Sequence, residues 1–475
     1  MSRHPVMCGV VVLACFALLA GVVTGQDDAP AFDKYGGWTK LKCEPTGFFS
    51  VRKIDDRWWL VTPDGNVFFS TGVCGVYSTG NHCPALGHAP YGKAVADKYA
   101  KKEDWAKTTL ARLQEWGFNT LGAWSESALF AGQIPWTRIL DLGVRGGANW
   151  LTGEFPDVFD PKFAATVDAA AEDACGRLKD DPWLVGYFLD NELRWGRDWR
   201  AIKPLFADFM ALPPTAPGKK ALIEFLRSEY ADDIEKFRQA WKSDAASFEE
   251  LASARSLAGR PDGKSQAEAQ RVKESFAGIV ADRYFQVTTS AVRRYDPNHL
   301  VLGVRFSSAG ACEAVIRACG KYCDVLSINF YHVGDVLDRL ACNFTDGLTT
   351  AGWLAEYHRV STRPVMITEF SFKAMDSGLP NSRGASIPVR TQADRAGCFR
   401  SYARACAEKP YMVGYHWFEY IDQPALGRSD GENSNYGLVN EKDEPWETLT
   451  AEMKRTNREV YKLHRGSGQA EKKGQ

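Results

Sequence analysis

Trp183-Leu-Val-Gly-Tyr-Phe-Leu-Asp-Asn-Glu-Leu-Arg-Trp-Gly196 is the stretch on which the reading of this chain turns. An apolar run of the kind that forms a buried parallel strand passes directly into Asp190-Asn191-Glu192. Burying three polar side chains at a strand end is costly unless each is engaged there. A second apolar run, Arg363-Pro-Val-Met-Ile-Thr-Glu-Phe370, ends the same way in Glu369. Two carboxylates at the ends of two strands point to one shared site.

Working outward, strands and helices alternate. Short β segments are expected at Phe48–Val51, Trp58–Thr62 and Val67–Val73, with a turn at Pro63-Asp64-Gly65-Asn66. Leu110, Leu113 and Trp116 share one face of a helix from Glu103 to Trp116, which Gly117 can end. Phe118–Trp124, Thr137–Leu142, His299–Phe306, Asp324–Phe330, Pro364–Phe370 and Met412–Trp417 read as strands. Helices are expected at Ala164–Leu178, Gln270–Tyr295, Glu313–Cys319, Thr349–Arg359 and Thr391–Glu408. This is the repeat of a (β/α)8 TIM barrel with a short N-terminal β segment. A doubly wound open sheet fits less well, because polar residues end many strands and no Gly-rich nucleotide fingerprint follows the first.

Residues 197–270 break the rhythm. Leu205–Leu212, Lys219–Trp241 and Phe248–Ala254 read as amphipathic helices of an insertion after strand 4. Loops after barrel strands lie on the active-site face, so the insertion either walls a cleft or packs outside the barrel.

By strand count, Glu192 ends strand four and Glu369 ends strand seven. Retaining cleavage of a glycosidic bond uses two carboxyl groups roughly 5–5.5 Å apart, one an acid and one a nucleophile. Opposed barrel strands can fix such a spacing. Strict strand alternation would send Asn191 and Glu192 to opposite faces, so both reach the site only if the strand has ended or bulged there. Asp190 is a rival acid that more commonly anchors backbone, and Glu192 could instead pair with Arg194 or Arg197. Glu126 and Asp422 read equally as sugar contacts or loop tethers. Arg305 and His416 also sit at strand ends, as substrate contacts or as supports.

Trp58-Trp-Leu-Val-Thr-Pro-Asp-Gly-Asn66, Gly186 through Gly196 and Met366-Ile-Thr-Glu-Phe-Ser371 together resemble the β-agarase family related to the β-galactosidases, within the clan of retaining (β/α)8 glycoside hydrolases. The resemblance spans about Gly37 to Lys462. It implies Glu192 as acid/base and Glu369 as nucleophile. It also implies that Asn191 contacts the sugar hydroxyl beside the reacting carbon, that Tyr331 orients the nucleophile, and that Trp417 forms a platform under the sugar. His332, Trp124 and Glu419 are further candidate substrate contacts. Members of that family often carry an extra N-terminal carbohydrate-binding-like domain, for which this sequence has no room, and agarose itself stays open as the substrate. The function implied is cleavage of a β-linked galactose-containing poly- or oligosaccharide. An exo-β-galactosidase or another β-glycosidase is the alternative within the class, and a non-catalytic carbohydrate-binding barrel is the alternative outside it. No cofactor is required.

Bulk properties agree. The 475 residues carry a formal net charge of −1, which gives no electrostatic case for nucleic acid or an anionic membrane. Only eight histidines occur and no His-x-His pair among them, so a metal-dependent barrel hydrolase is a poor fit. Arg3 and His4 precede an apolar run from Val6 to Val23 and small residues near Gly25, the pattern of an export signal over residues 1–25. Secretion or a periplasmic location follows, with no stable membrane insertion after removal. An uncleaved anchor is the rival; a lipoprotein box at Val12–Cys15 fits less well. Residues 26–36 read as a flexible leader, 37–464 as the barrel domain and 465–475 as a disordered tail. Ten cysteines remain after the signal, as bridges or buried thiols. Cys74/Cys83 and Cys398/Cys406 are close in sequence, and Cys312, Cys319, Cys323 and Cys342 form a local group.

Overall fold

The computed structural model describes residues 32–257, 261–307, 311–331, 353–386 and 388–466. The export signal, most of the leader, the end of the tail, His332, Cys342 and the start of the helix expected at Thr349 lie outside these residues.

The chain opens with a four-stranded antiparallel sheet, β1 (Trp38–Lys42), β2 (Ser50–Ile54), β3 (Arg57–Val61) and β4 (Asn66–Phe68), in the order β1-β4-β3-β2. The run Val67–Val73 does not form one strand. It divides at Phe69 between β4 and β5 (Ser70–Val73), which belong to different sheets. The second sheet is wholly parallel. It adds β6 (Thr120–Leu121), β7 (Trp136–Ile139), β8 (Leu184–Phe188), β9 (Leu300–Val301), β10 (Phe306–Ser307), β11 (Leu326–Asn329), β12 (Val365–Phe370) and β13 (Met412–Trp417).

Its order runs β10-β11-β12-β13-β5-β6-β7-β8-β9, so its two ends are two pieces of one short run. Gly303 (φ 86°) and Arg305 (φ 50°) interrupt that run. Leu189 N donates to Gly303 O at 2.8 Å on one side, and Asp324 N donates to Val301 O at 2.9 Å on the other. The β9–β10 run therefore bonds to both neighbours and closes the ring. Eight barrel positions result, and the (β/α)8 architecture expected from the sequence is the one observed.

The small sheet plugs the mouth where the barrel strands begin. Phe49, Leu60 and Phe68 share one buried cluster with the barrel's Val185, Leu300, Leu302, Val325, Met366 and Val413. Trp58 N donates to Pro410 O at 2.7 Å, just ahead of β13, and fixes the plug in place. The opposite mouth, at the strands' C-terminal ends, is left for the site.

Helices follow strand four as expected, at Leu205–Met210, Pro217–Glu229, Ile234–Trp241 and Phe248–Ser253, before the long helix Gly263–Tyr295. The single helix expected over Lys219–Trp241 is two. Ala231 and Asp232 both take left-handed backbone, and the Asp233 side chain caps the second helix through Glu235 N and Lys236 N. Helices missed in the sequence are Pro90–Lys98, the short Leu142–Arg145 and Glu447–Arg465; the last packs along Gln392–Glu408. Cys43, Cys74, Cys83, Cys175, Cys312, Cys319, Cys323 and Cys406 are free thiols, so no bridge joins Cys74 to Cys83 or Cys398 to Cys406. No helix among the described residues is long and apolar enough to cross a membrane.

The plug carries a stability prediction. Leu60 is fully buried between the two sheets, so Leu60→Ala lowers the unfolding free energy by about 2–5 kcal/mol. Thermal or urea unfolding read by tryptophan fluorescence measures this; an unchanged midpoint contradicts the plug.

Candidate active site

Strand β8 ends at Phe188, and Glu192 lies beyond it with φ 51°. Glu192 N still reaches Val304 O and Arg305 O, each at 3.3 Å. The strand has thus ended before Asn191 and Glu192, which frees both from alternation and lets both line one cleft. Glu192 Oε1 accepts from Asn329 Nδ2 at 3.1 Å. Burial, and then the charge of Glu369, push the Glu192 carboxyl up to about 7.

Glu369 arrives from β12. The β11–β12 register slips between Ile328 and Asn329, and the β12–β13 register slips between Ile367 and Phe370. Such a bulge re-aims side chains that alternation would separate. Thr368 Oγ1 donates to Asn329 Oδ1 at 2.9 Å, while Glu369 lines the cleft. Tyr331 Oη donates to Glu369 Oε2 at 2.7 Å, and Arg305 Nη2 forms an ion pair with Oε1.

Arg305 joins the two carboxyl groups into one network. Its Nε donates to Asn191 Oδ1 at 2.9 Å, and Asn329 Nδ2 donates to the same oxygen at 3.0 Å. Its guanidinium lies over the Trp124 ring at 4.6 Å. Trp124 is 43% exposed and lines the cleft. Glu419 also lines the cleft. It accepts from Asn81 Nδ2 at 3.3 Å and Gln423 Nε2 at 3.1 Å, and burial pushes its carboxyl up to about 7.

Trp417 is placed otherwise than expected. It is fully buried, donates Nε1 to Tyr436 O at 2.8 Å, and packs on Phe370 and Phe399 in the layer between strands and helices. Its neighbour His416 takes the inward position, where Gly72 leaves room for the ring and Ser70 Oγ lies 2.8 Å from Nε2. Burial, with Arg305 nearby, lowers the His416 imidazole to about 3, so it is neutral at ordinary pH. The next residue, Phe418, presents its ring to the cleft instead. Aromatic identity could be read at this strand end; which of two adjacent aromatics faces in could not.

Other strand-end residues are structural. Asp190 accepts from Gly143 N at 2.6 Å, Val144 N at 3.2 Å and Tyr284 Oη. Glu126 tethers Ser78, and Asp422 accepts from Asn435, Gly437 N and Trp446. Arg194 pairs with Asp208 and leaves Glu192 alone. Asn329, which holds both Asn191 and Glu192, was missed in the sequence although it ends strand six as Asn191 follows strand four. The cleft encloses about 1430 Å³. No group of three or more His, Cys, Asp or Glu among the described residues is arranged to hold a metal ion.

No family model matches the sequence. The chain is 29% identical to β-agarase B of Vibrio sp. (strain JT0107), over 91% of its own length and 50% of that protein. It is 30% identical to β-agarase A of the same strain, over 92% of its length and 47% of that protein. It thus spans about half the length of these relatives. Among solved structures, an exo-β-agarase superposes with a TM-score of 0.78 at 26% identity, covering 92% of this chain and 69% of that one. The chain is β-agarase-like, as its motifs implied.

The placement of Trp417 sets a test. Trp417→Ala empties a buried site and lowers stability by about 3–5 kcal/mol, read as a fall in the melting temperature. A variant that melts like the parent and only binds substrate less well contradicts the core position.

Proposed function

We propose that this β-agarase-like chain is a retaining glycoside hydrolase that cleaves a β-linked galactose-containing poly- or oligosaccharide. The single observation that carries this reading is the asymmetry of two carboxyl groups in one cleft. Glu192 is buried against its charge and holds a proton up to about pH 7, while Glu369 receives both Arg305 and Tyr331. An acid and a nucleophile need that contrast.

In the first step, Glu369 attacks the anomeric carbon as Glu192 delivers its proton to the leaving oxygen. The glycosidic C–O bond breaks and a glycosyl ester to Glu369 forms. Glu192, now a carboxylate, removes a proton from water, and that water displaces Glu369 from the anomeric carbon. The configuration is inverted twice and so retained. Tyr331 and Arg305 orient the attacking carboxylate. The amide oxygen of Asn191 already accepts two donors, so its NH₂ group is left to donate to a sugar hydroxyl. Trp124, Phe418 and Glu419 line the space around the ring. With residues 1–25 read as an export signal, the enzyme works outside the cytoplasm.

Hydrolysis of agarose, porphyran, carrageenan and aryl β-galactosides by the purified protein tests the substrate class. Glu192→Gln lowers kcat on an unactivated substrate by about 10²–10⁴-fold, and Glu369→Gln abolishes turnover. Unchanged hydrolysis by Glu369→Gln refutes the assignment of the nucleophile, whereas binding without hydrolysis of any of these substrates by the parent protein leaves a carbohydrate-binding barrel.

The pH profile tests the roles separately. The acid must be protonated, and its pKa is raised. Activity is therefore present below about pH 7 and falls as the pH rises through that value. This limb appears in kcat/KM and is absent in Glu192→Gln.

A further inference from the structure

One wall of the cleft is apolar, exposed and built from two loops. Trp150 comes from the loop after β7 and Trp199 from the start of the insertion after β8. Trp199 is 64% exposed and its neighbour across the wall, Leu151, 69%. Both face the same cavity as Glu192. Exposed aromatic surface inside a cleft, rather than scattered on a convex surface, calls for a ligand.

The wall is rigid. The Arg200 guanidinium lies 4.5 Å from the Trp199 ring centroid and 5.6 Å from that of Trp150. It donates Nη1 to Trp150 O at 3.0 Å and is paired with Asp198. Its Nη2 donates to the backbone oxygen of Glu192 at 2.7 Å. The two tryptophans are therefore fixed to the residue read as the acid.

We propose that Trp150 and Trp199 form a stacking platform for a sugar ring of the leaving group. The proposal rests on the assignment of Glu192 as acid. A general acid must stand beside the leaving oxygen, so whatever surface is bound to its backbone lies on the leaving-group side. A pyranose offers an apolar C–H face and a hydroxyl edge. Trp199 supplies the flat apolar partner, and Arg197 at the same wall supplies the edge with a donor. The cavity, about 1430 Å³, exceeds the roughly 300–1,000 Å³ that encloses one small ligand. It has room for a chain of sugar rings. The occupant is thus the reducing-side continuation of a β-galactan chain.

The test measures kcat/KM over a series of agaro-oligosaccharides of increasing length, with Trp199→Ala, Trp199→Phe and Glu192→Gln beside the parent protein. For the parent, kcat/KM rises as units are added on the leaving-group side. In Trp199→Ala that rise shrinks by about tenfold, through KM more than kcat, and Trp199→Phe restores most of it. Trp199 is exposed, so the melting temperature stays near that of the parent. If Glu192→Gln loses activity while Trp199→Ala keeps the parent's length dependence, the platform is overturned and the acid assignment stands. If Glu192→Gln hydrolyses the series as the parent does, the acid assignment fails and takes the platform with it. A Trp199→Ala change in sedimentation with unchanged length dependence makes the wall an interface between copies, and also overturns the proposal.

Discussion

The buried guanidinium of Arg305 is the constraint on which the site depends. A cation with no exposure to solvent is tolerable only if its donors are paired. Arg305 spends them on Glu369, Asn191 and the Thr368 carbonyl, and its flat face rests between Trp124 and Phe188. These partners come from barrel positions two, four and seven. One side chain thus sets the relation between strands that never touch in the sheet. The backbone conforms to this. The fifth position is broken into β9 and β10, with Arg305 left-handed and its N–H donated to Ser327 Oγ. A continuous strand there would follow alternation and have no such freedom of aim.

The same economy appears around the other polar groups of the barrel. His416 stands close to Arg305 and is kept neutral, which avoids a second cation beside that guanidinium. Asp190 points away from the cleft and holds the start of the short helix Leu142–Arg145 and the long helix through Tyr284. Three adjacent polar residues therefore divide into a tether and two cleft-lining groups, because the strand ends before the last two.

Much of this was legible in the sequence because side-chain type at strand ends is local information. Apolar runs marked the strands, and the polar residues that ended them marked Glu192, Glu369 and Asn191, while Tyr331 was named by the resemblance to the β-agarases. Facing is not local. The exchange of Trp417 for Phe418 depends on how β13 slips against β12, which the sequence of β13 alone does not encode. The division of Val67–Val73 between two sheets is likewise a tertiary event, since the residues suit either strand. The break at Ala231–Asp232 escaped notice because flanking residues keep helical periodicity, and only the Asp233 cap marks it. Asn329 was overlooked because an amide at a strand end lacks the chemical signature of a carboxylate, although it binds both.

The insertion after the fourth strand acquires a reason from these contacts. Its first residues do not leave the cleft at once. Arg200 turns back to the Glu192 carbonyl, pairs with Asp198 and reaches across to Trp150. Only then does the chain enter the helices from Leu205 onward, whose aromatic core of Phe206, Phe209, Trp241 and Phe276 ties the insertion to the long helix. A loop of this length without its own core would move on a timescale that blurs the position of Glu192. Packed in this way, it holds the turn at Glu192 from the outside while Arg305 holds it from within. The Glu192 carboxyl group is fixed between two guanidinium groups, one bonded to its backbone and one to its neighbour, and neither is spent on its own oxygens.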